Sequence, residues 1–464
     1  RQSKTAPCPI TRMKVPRWEL ISIAVILLCL ATGLALSPLL TIRVISLALA
    51  LLFIPIIGFR IAALRDLLSE KPSEPPHVPR LSDAELPIYT VLVPLFREAK
   101  VLGALVESLR RLDYPAAKLD IKLILEEVDG ETIAAAQTYD LPGNFEIVVV
   151  PELQPRTKPR ALNFAMPLAR GDYLVIYDAE DRPERDQLRK ALAAFREGAP
   201  NLACVQARLN LYNASETWFT KQFTIEYCAL FDGLLPMLAR YDLPIPLGGT
   251  SNHFRISALK WLLAWDPYNV TEDADLGMRL ARSGYRCGVL NSTTFEEAPL
   301  SFMPWLRQRT RWLKGFVQTY LVHLRSPARL WRELGPRGFL AFQVTIGGTV
   351  LSALIHPWFY GLVLFDLARG EFLARPESML SVPLWVLAGG NLIVGYAAAM
   401  GLGFLTVRAR GLNSLLREVA LMPLYWLLVS VAAYRAIWQF VTARFEWEKT
   451  EHGLARQTST LMQQ

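Results

Sequence analysis

The chain has 464 residues, 52% of them apolar, and a formal charge of +8. That suffices for one sizeable soluble core plus a membrane part. Five cysteines, Cys8, Cys29, Cys204, Cys228 and Cys287, show no CxxC pair and no histidine spacing, which excludes a cysteine metal cluster or a disulfide framework. A basic balance can serve nucleic acid, an anionic substrate or a bilayer edge; the arginines crowd near the ends of apolar segments, so the bilayer edge is favoured and nucleic acid is not expected as a partner.

Residues 20–37, "LISIAVILLCLATGLALS", carry no charge and are long enough to cross a bilayer. A second candidate, 39–59, is interrupted only by Arg43. Residues 1–60 thus read as a transmembrane hairpin with a cytoplasmic N-terminus, and 61–86, with the proline-rich "SEKPSEPPHVPR", as an exposed linker. From 87 to 300, short β-branched runs ("IYTVLVPLF", "LDIKLILEE", "FEIVVV", "DYLVIYD") alternate with amphipathic helices such as "KVLGALVESLRRL" and "RDQLRKALAAFREG". That alternation predicts an α/β domain with a mostly parallel sheet, whose ligands bind beyond the carboxyl ends of the strands. Residues 301–338 read as amphipathic interface helices. Within 339–444, segments 340–365 and 381–405 are long enough to span. The purely basic "RARGLNSLLR" after the second puts that loop inside, and the charge-balanced "DLARGEFLARPES" outside. Residues 419–434 are short, contain Pro423 and lie between Arg417 and Arg435, so an interfacial or re-entrant helix is expected, with a third span as the alternative. That geometry returns the tail, 445–464, to the cytoplasm.

Chemistry-bearing residues gather at the predicted strand ends. The first ends in "VPLFREA", the second in "ILEEVDG", and the fourth in "YDAED" with carboxylates at 178, 180 and 181; "TKPRALN" places Lys158, Arg160 and Asn163 before a helix. Alternate carboxylates can ligate a divalent cation that bridges phosphate oxygens, and a lysine adds a compact charge to the same phosphates. Together they describe a nucleotide-diphosphate site. Further along, "NVTEDADLGMRL" places Glu272 and Asp273 at a helix start, where they could be an ordinary cap or a catalytic acid. "QRTRW", residues 308–312, continues as a helix through "LKGFVQT".

These motifs, in this order from Thr90 to Thr319, resemble the membrane-integrated, inverting GT-A glycosyltransferases of family two, the group of cellulose, curdlan and hyaluronan synthases. "VPLFRE", "VDG", "KPRALN", "YDAED", "TED" and "QRTRW" stand for the family's VP-aromatic-x-E, DDG, K-x-x-x-L-N, D-x-D, TED and Q-x-x-R-W. The resemblance implies a cytoplasmic GT-A domain flanked by transmembrane and interface helices in a bacterial inner membrane. It makes Asp273 the base with Glu272 in support, and lines the donor site with Phe96, Glu98, Asp129, Lys158, Asn163, Asp178, Glu180, Gln308 and Arg311. Asp178 and Glu180 would hold Mg²⁺ or Mn²⁺; Glu180 replaces the usual second Asp, with Asp181 the alternative ligand, and "EEVDG" leaves Glu127 or Asp129 as the uracil contact. Trp312 would stack on the acceptor's terminal sugar, beside Gly249 and Thr250 of "GGTSNHF".

The implied activity is polymerisation of a sugar from a UDP-sugar, most simply UDP-glucose, into a β-linked polysaccharide moved across the membrane. The implied partners are the donor, the growing polysaccharide, the lipid bilayer, and accessory export or periplasmic proteins. Two rivals are a single transfer to a polyprenyl phosphate or other lipid, and a transporter or channel, which the scarcity of acids in the apolar segments disfavours. In the tail "FEWEKTEHG", Trp447, Lys449 and Thr450 are expected to form a lid over the nucleotide; a surface anchor is the plainer reading.

Overall fold

The computed structural model describes residues 17–69, 82–370 and 382–443. Eight strands form one sheet: β1 Tyr89–Leu95, β2 Leu119–Glu126, β3 Phe145–Val150, β4 Tyr173–Ile176, β5 Arg182–Pro183, β6 Leu202–Leu211, β7 Asn252–Arg255 and β8 Arg286–Glu296. Their spatial order is β3-β2-β1-β4-β7-β6-β8-β5. The four strands legible as apolar runs are all present, and β3, β2, β1 and β4 pair in parallel. β2 is buried at every position, so its charged residues must be satisfied internally: Lys122 pairs with Asp120 at 3.0 Å, and Arg170 Nε donates to Asp120 at 2.9 Å.

Beyond β4 the sheet is mixed. β7 is antiparallel to both β4 and β6, β6 is parallel to β8, and β5 is antiparallel to β8. The long β6 and β8 were not expected. Their buried Gln206, Asn210, Ser292 and Thr294 break the apolar signal that marks a central strand. Other segments satisfy most of them: Gln187 Nε2, from the helix Gln187–Glu197, donates to Ser292 at 3.2 Å and to Thr294 at 3.1 Å, and Gln206 Nε2 donates to the Thr250 carbonyl at 2.9 Å. The outcome is an α/β domain with a parallel-rich sheet.

Among the described residues, four helices are long and apolar enough to cross a membrane: Leu40–Ser69, Pro327–Arg369, Trp385–Ala409 and Glu418–Thr442. Ala24–Leu36 is a shorter apolar helical stretch. Two boundaries differ from the sequence reading. The second helix continues without a break through 61–69, so the first nine residues of the predicted linker 61–86 are helix; 70–81 lie outside the described residues. The segment expected to be short and re-entrant is a 21-residue helix, Met422–Thr442, that runs on through Arg435. Pro423 sits in its first turn, where a missing N–H is harmless, so this proline starts the helix and does not break it.

The membrane helices are tied to the sheet domain by charge. Arg410 donates to both oxygens of Asp232, at 2.8 and 2.6 Å, and to Thr293 at 2.8 Å. Lys221 pairs with Glu418 at 2.8 Å. The helix Phe302–Leu324, which carries "QRTRW", packs along Met422–Thr442, with Trp305 Nε1 donating to the Tyr425 hydroxyl at 2.9 Å.

Candidate active site

A cavity of about 830 Å³ opens at the carboxyl ends of β1 and β4 and continues between the membrane helices. Its sheet-side wall includes Phe96, Glu98, Lys158, Asp178, Glu180 and Gly249. Local backbone chemistry sets these residues. After β1 the chain reverses at Arg97, whose φ of 57° is in the left-handed region, and the Arg97 N–H donates to Asp129. Phe96 is left facing the cavity between two guanidinium groups, Arg97 at 5.1 Å and Arg156 at 5.9 Å from its ring centre. Lys158 begins the helix Lys158–Ala165 and bridges two loops, donating to Asp178 at 2.6 Å and to the Gly249 carbonyl at 2.6 Å. Burial pulls the Lys158 ammonium down, but Asp178, Asp273 and Glu272 outweigh it and hold the group above its ordinary value.

Glu272 and Asp273 open the helix Glu272–Arg282. As a mere cap they would be exposed; instead they are 6% and 4% exposed and line the cavity. Thr271, at the cap position, makes no side-chain capping bond. Asp273 Oδ1 is buried without a partner. Burial, then the neighbouring Glu272 charge, pushes Asp273 well above the ordinary carboxylate range, with Lys158 pulling the other way. Opposite it, Gly249 leaves room: a Cβ there would lie 4.0 Å from Asp273 Oδ2.

The preceding loop is strapped to the helix Phe302–Leu324. Val270 N–H donates to Gln318 at 3.1 Å and Asn269 Nδ2 to Thr319 at 2.9 Å. Gly315 permits that approach, since a Cβ there would meet the Thr271 side chain, with Thr271 Cβ only 2.7 Å away. One helix therefore positions the acid pair and also presents Gln308, Arg311 and Trp312 to the same cavity. Gln308 Oε1 is buried without a hydrogen-bond partner. Burial lowers Arg311, while the charges of Glu272, Asp178 and Glu180 act to raise it, so its guanidinium lies within the acidic cluster. Trp312 is held by stacking on Phe223 (5.7 Å) and Tyr227 (6.3 Å), with the Arg309 guanidinium 4.8 Å from its ring. Arg309 is itself fixed by a bidentate pair with Glu226, at 2.7 and 2.6 Å.

Three of the residues singled out from sequence take inward-turned positions. Asp129 caps the helix Gly130–Thr138, accepting from Thr132 N, and lies outside the cavity lining. Asn163 also lies outside it, its amide clamping the Trp265 backbone at 2.7 and 3.1 Å. Thr250 lines the cavity, but its hydroxyl donates to Asp181. Asp181 in turn accepts from the Asp178 N–H at 2.7 Å, so it braces the strand end from beneath. Trp447, Lys449 and Thr450 lie outside the described residues. Sequence reasoning missed Glu226, Tyr227, Arg156 and Glu296, which also line the cavity. Only Glu296, in the acidic "FEEAPL" at the end of β8, had a local signal of the kind used for "YDAED".

The acidic cluster suits a divalent cation in charge. Burial and then Asp178 push Glu180 up to about 8, and burial with Glu296 raises Asp181, whose Oδ1 has no partner. Mutual repulsion of this kind is what a bound dication relieves. Among the described residues no three carboxylate, histidine or cysteine side chains are grouped as a complete cation site. A cation held by Asp178 and Glu180 would therefore need further oxygen ligands, such as those of a diphosphate.

A family model described as "Glycosyl transferase family group 2" matches residues 173–442. Among curated proteins, the chain is 25% identical over 252 residues to a probable glycosyltransferase, YdaM, of Bacillus subtilis, covering 54% of this chain and 60% of that one. It is 26% identical over 259 residues to the beta-monoglucosyldiacylglycerol synthase of Trichormus variabilis, covering 54% and 53%. The chain thus spans well under two thirds of the length of these relatives. Among solved structures, the mannosyltransferase PcManGT of Pyrobaculum calidifontis, in complex with GDP-Man and Mn²⁺, aligns over 86% of this chain and 98% of its own at 19% identity with a TM-score of 0.54, a likeness of fold.

Proposed function

This chain belongs to glycosyl transferase family group 2, and from that premise we propose that it is a membrane-bound, inverting enzyme that builds a β-linked polysaccharide from a UDP-sugar, most simply UDP-glucose. One observation carries the reading: a single cavity holds Asp273, the Trp312 ring and the basic groups Lys158 and Arg311, and runs on between the membrane helices. An acceptor can then enter from the membrane side while the donor enters from the sheet side.

In this mechanism Asp273 takes the proton of the acceptor hydroxyl as that oxygen attacks the sugar C1 from the face opposite the diphosphate. Glu272 keeps the Asp273 carboxyl basic by charge repulsion. Arg311 and Lys158 stabilise the charge that develops on the leaving diphosphate, and Gln308 offers it a side-chain donor. Asp178 and Glu180 would hold Mg²⁺ or Mn²⁺, which supplies further charge neutralisation to the diphosphate. Phe96, between its two guanidinium groups, is a stacking face for the base. Trp312 supports the acceptor's terminal sugar. The catalytic domain lies on the cytoplasmic side of a bacterial inner membrane.

A second reading, transfer of one sugar to a lipid, is favoured by the aliphatic walls of the membrane part of the cavity, among them Ala353, Leu402 and Val429. The name of the Trichormus relative points the same way. The deciding experiment supplies purified protein with each UDP-sugar, measures UDP release, and digests the product with linkage-specific glucanases. A long digestible chain is expected; a product carrying one sugar on lipid would establish the second reading, and no UDP release with any donor would overturn both.

A further inference from the structure

The inward face of the helix Pro38–Ser69 carries a charge. Ile56, Arg60 and Ala63 succeed one another at helical spacing on that face. Ile56 packs on Gly348, where a Cβ would come 3.0 Å from its Cδ1, and Ala63 is fully buried in the core. Arg60, between them, lines the same cavity as Asp273. Among the described residues no carboxylate pairs with its guanidinium, and the charge is felt by a neighbouring histidine, His356. His356 is fixed by a bond of 3.1 Å between Nε2 and the Tyr396 hydroxyl and by edge contact with Trp426 at 5.3 Å.

A guanidinium does not deprotonate, and one held uncompensated between membrane helices is costly unless an anion meets it. The adjoining walls, Val344, Ala353, Ala399, Leu402 and Val429, are aliphatic. A fixed cation with aliphatic walls on one side and a base for a hydroxyl on the other matches an amphiphile: a phosphate, an apolar tail and a free hydroxyl.

We propose that Arg60, with His356 beside it, is an anion subsite at the membrane end of the catalytic cavity. It holds the phosphate of a phospholipid whose headgroup also carries a hydroxyl, and that hydroxyl is the acceptor on which synthesis starts. The headgroup oxygen forms a bond to the sugar C1 as the bond from C1 to the diphosphate oxygen breaks; the diphosphate leaves with the bonding pair and the proton passes to Asp273. The inference rests on the glycosyltransferase reading and holds whether one sugar or many are added.

The test uses the full chain in nanodiscs of phosphatidylcholine alone, or mixed with phosphatidylglycerol (phosphate and hydroxyls) or phosphatidic acid (phosphate without a hydroxyl). A fourth arm adds free glycerol 3-phosphate to phosphatidylcholine discs. With a radiolabelled UDP-sugar, label is expected in extractable lipid only with phosphatidylglycerol, and phosphatidic acid should compete. Arg60→Gln should cut lipid labelling by about tenfold or more, the scale of a lost charged hydrogen bond, with calorimetric UDP affinity unaltered, and Arg60→Lys should recover part. Should Arg60→Gln fail to bind UDP, Arg60→Lys and the phosphatidic acid competition in the unaltered protein decide. Equal labelling by Arg60→Gln, equal labelling of soluble glycerol 3-phosphate, or full-rate polymer in phosphatidylcholine alone with no lipid-bound label would each overturn the proposal. Absence of UDP release in every disc would instead overturn the reading beneath it.

Discussion

At the scale of single residues, the behaviour of Asp273 follows from its burial and its neighbours. Replacing it with Asn keeps the shape and removes the base, so turnover should fall by ~10²–10⁴-fold, with calorimetric UDP affinity near that of the unaltered protein. Near-normal turnover would remove Asp273 from the mechanism. The pH dependence has a definite sign. A base acts only when deprotonated, and burial with the Glu272 charge raises the Asp273 value above that of a free aspartate. Activity should therefore rise with pH through a window displaced toward neutrality, and Glu272→Gln, which removes the second-largest cause, should move the acid limb to lower pH. An unmoved limb in the pH–rate profile would separate Asp273 from that titration. Asp178 gives a third expectation: Asp178→Ala, or chelator added to the unaltered protein, should each abolish transfer, and added Mg²⁺ or Mn²⁺ should restore only the latter. Full activity in chelator would rule out a cation at this strand end.

At the scale of elements, what could be read from sequence was what is written locally. "TED" and "QRTRW" are each contiguous, and β1 to β4 are apolar runs bounded by turns. β6 and β8 were hidden because Gln206, Ser292 and Thr294 find partners in distant segments, so no window of sequence reports them as buried. Asp129 and Asn163 show the converse limit. Aspartate caps helices and asparagine clamps backbone as readily as either meets a ligand, and only the fold distinguishes these uses. Glu226, which fixes Arg309 behind Trp312, carries no motif at all. The coupling between elements yields the fourth prediction. The acid-bearing loop rests on the helix Phe302–Leu324 where Gly315 faces Thr271. Gly315→Ala places a methyl group against that side chain, an overpacking of about 1–3 kcal/mol in stability. Turnover should fall more than UDP affinity, because the shift falls on Thr271, directly before Glu272. A variant with lower melting temperature but unchanged turnover would show that the two helices are packed but not functionally linked.

At the scale of the whole molecule, one cavity runs from the sheet domain into the bundle of apolar helices, and the joint is braced by charged and hydroxyl groups. Arg410 grips Asp232 on one side of the domain boundary, while the buried Arg309, Tyr425 and Trp305 form a polar knot with the cavity-lining Glu226 on the other, with Tyr425 donating to Glu226 at 2.9 Å. Charged and hydroxyl groups committed in this way make relative sliding of the two parts costly, since any displacement leaves a desolvated partner unmet. Under the polymerising reading, a product that crosses the membrane would leave along the cavity, not through an opening between domains. Ala399, 5% exposed on the helix Val382–Ala409, lines the membrane part of that path. Ala399→Trp would fill much of the lumen there without touching Asp273 or the donor wall. Under the polymerising reading, long chains should disappear, UDP affinity should persist, and any residual product should be short, as gel filtration of labelled material would report. Sealed inverted vesicles provide the complementary measurement: in the unaltered protein, polymer should become protected from added glucanase as it grows. Chains of unaltered length from Ala399→Trp, together with glucanase-sensitive polymer in sealed vesicles, would mean that the product departs on the donor side and that the membrane part of the cavity serves the acceptor alone.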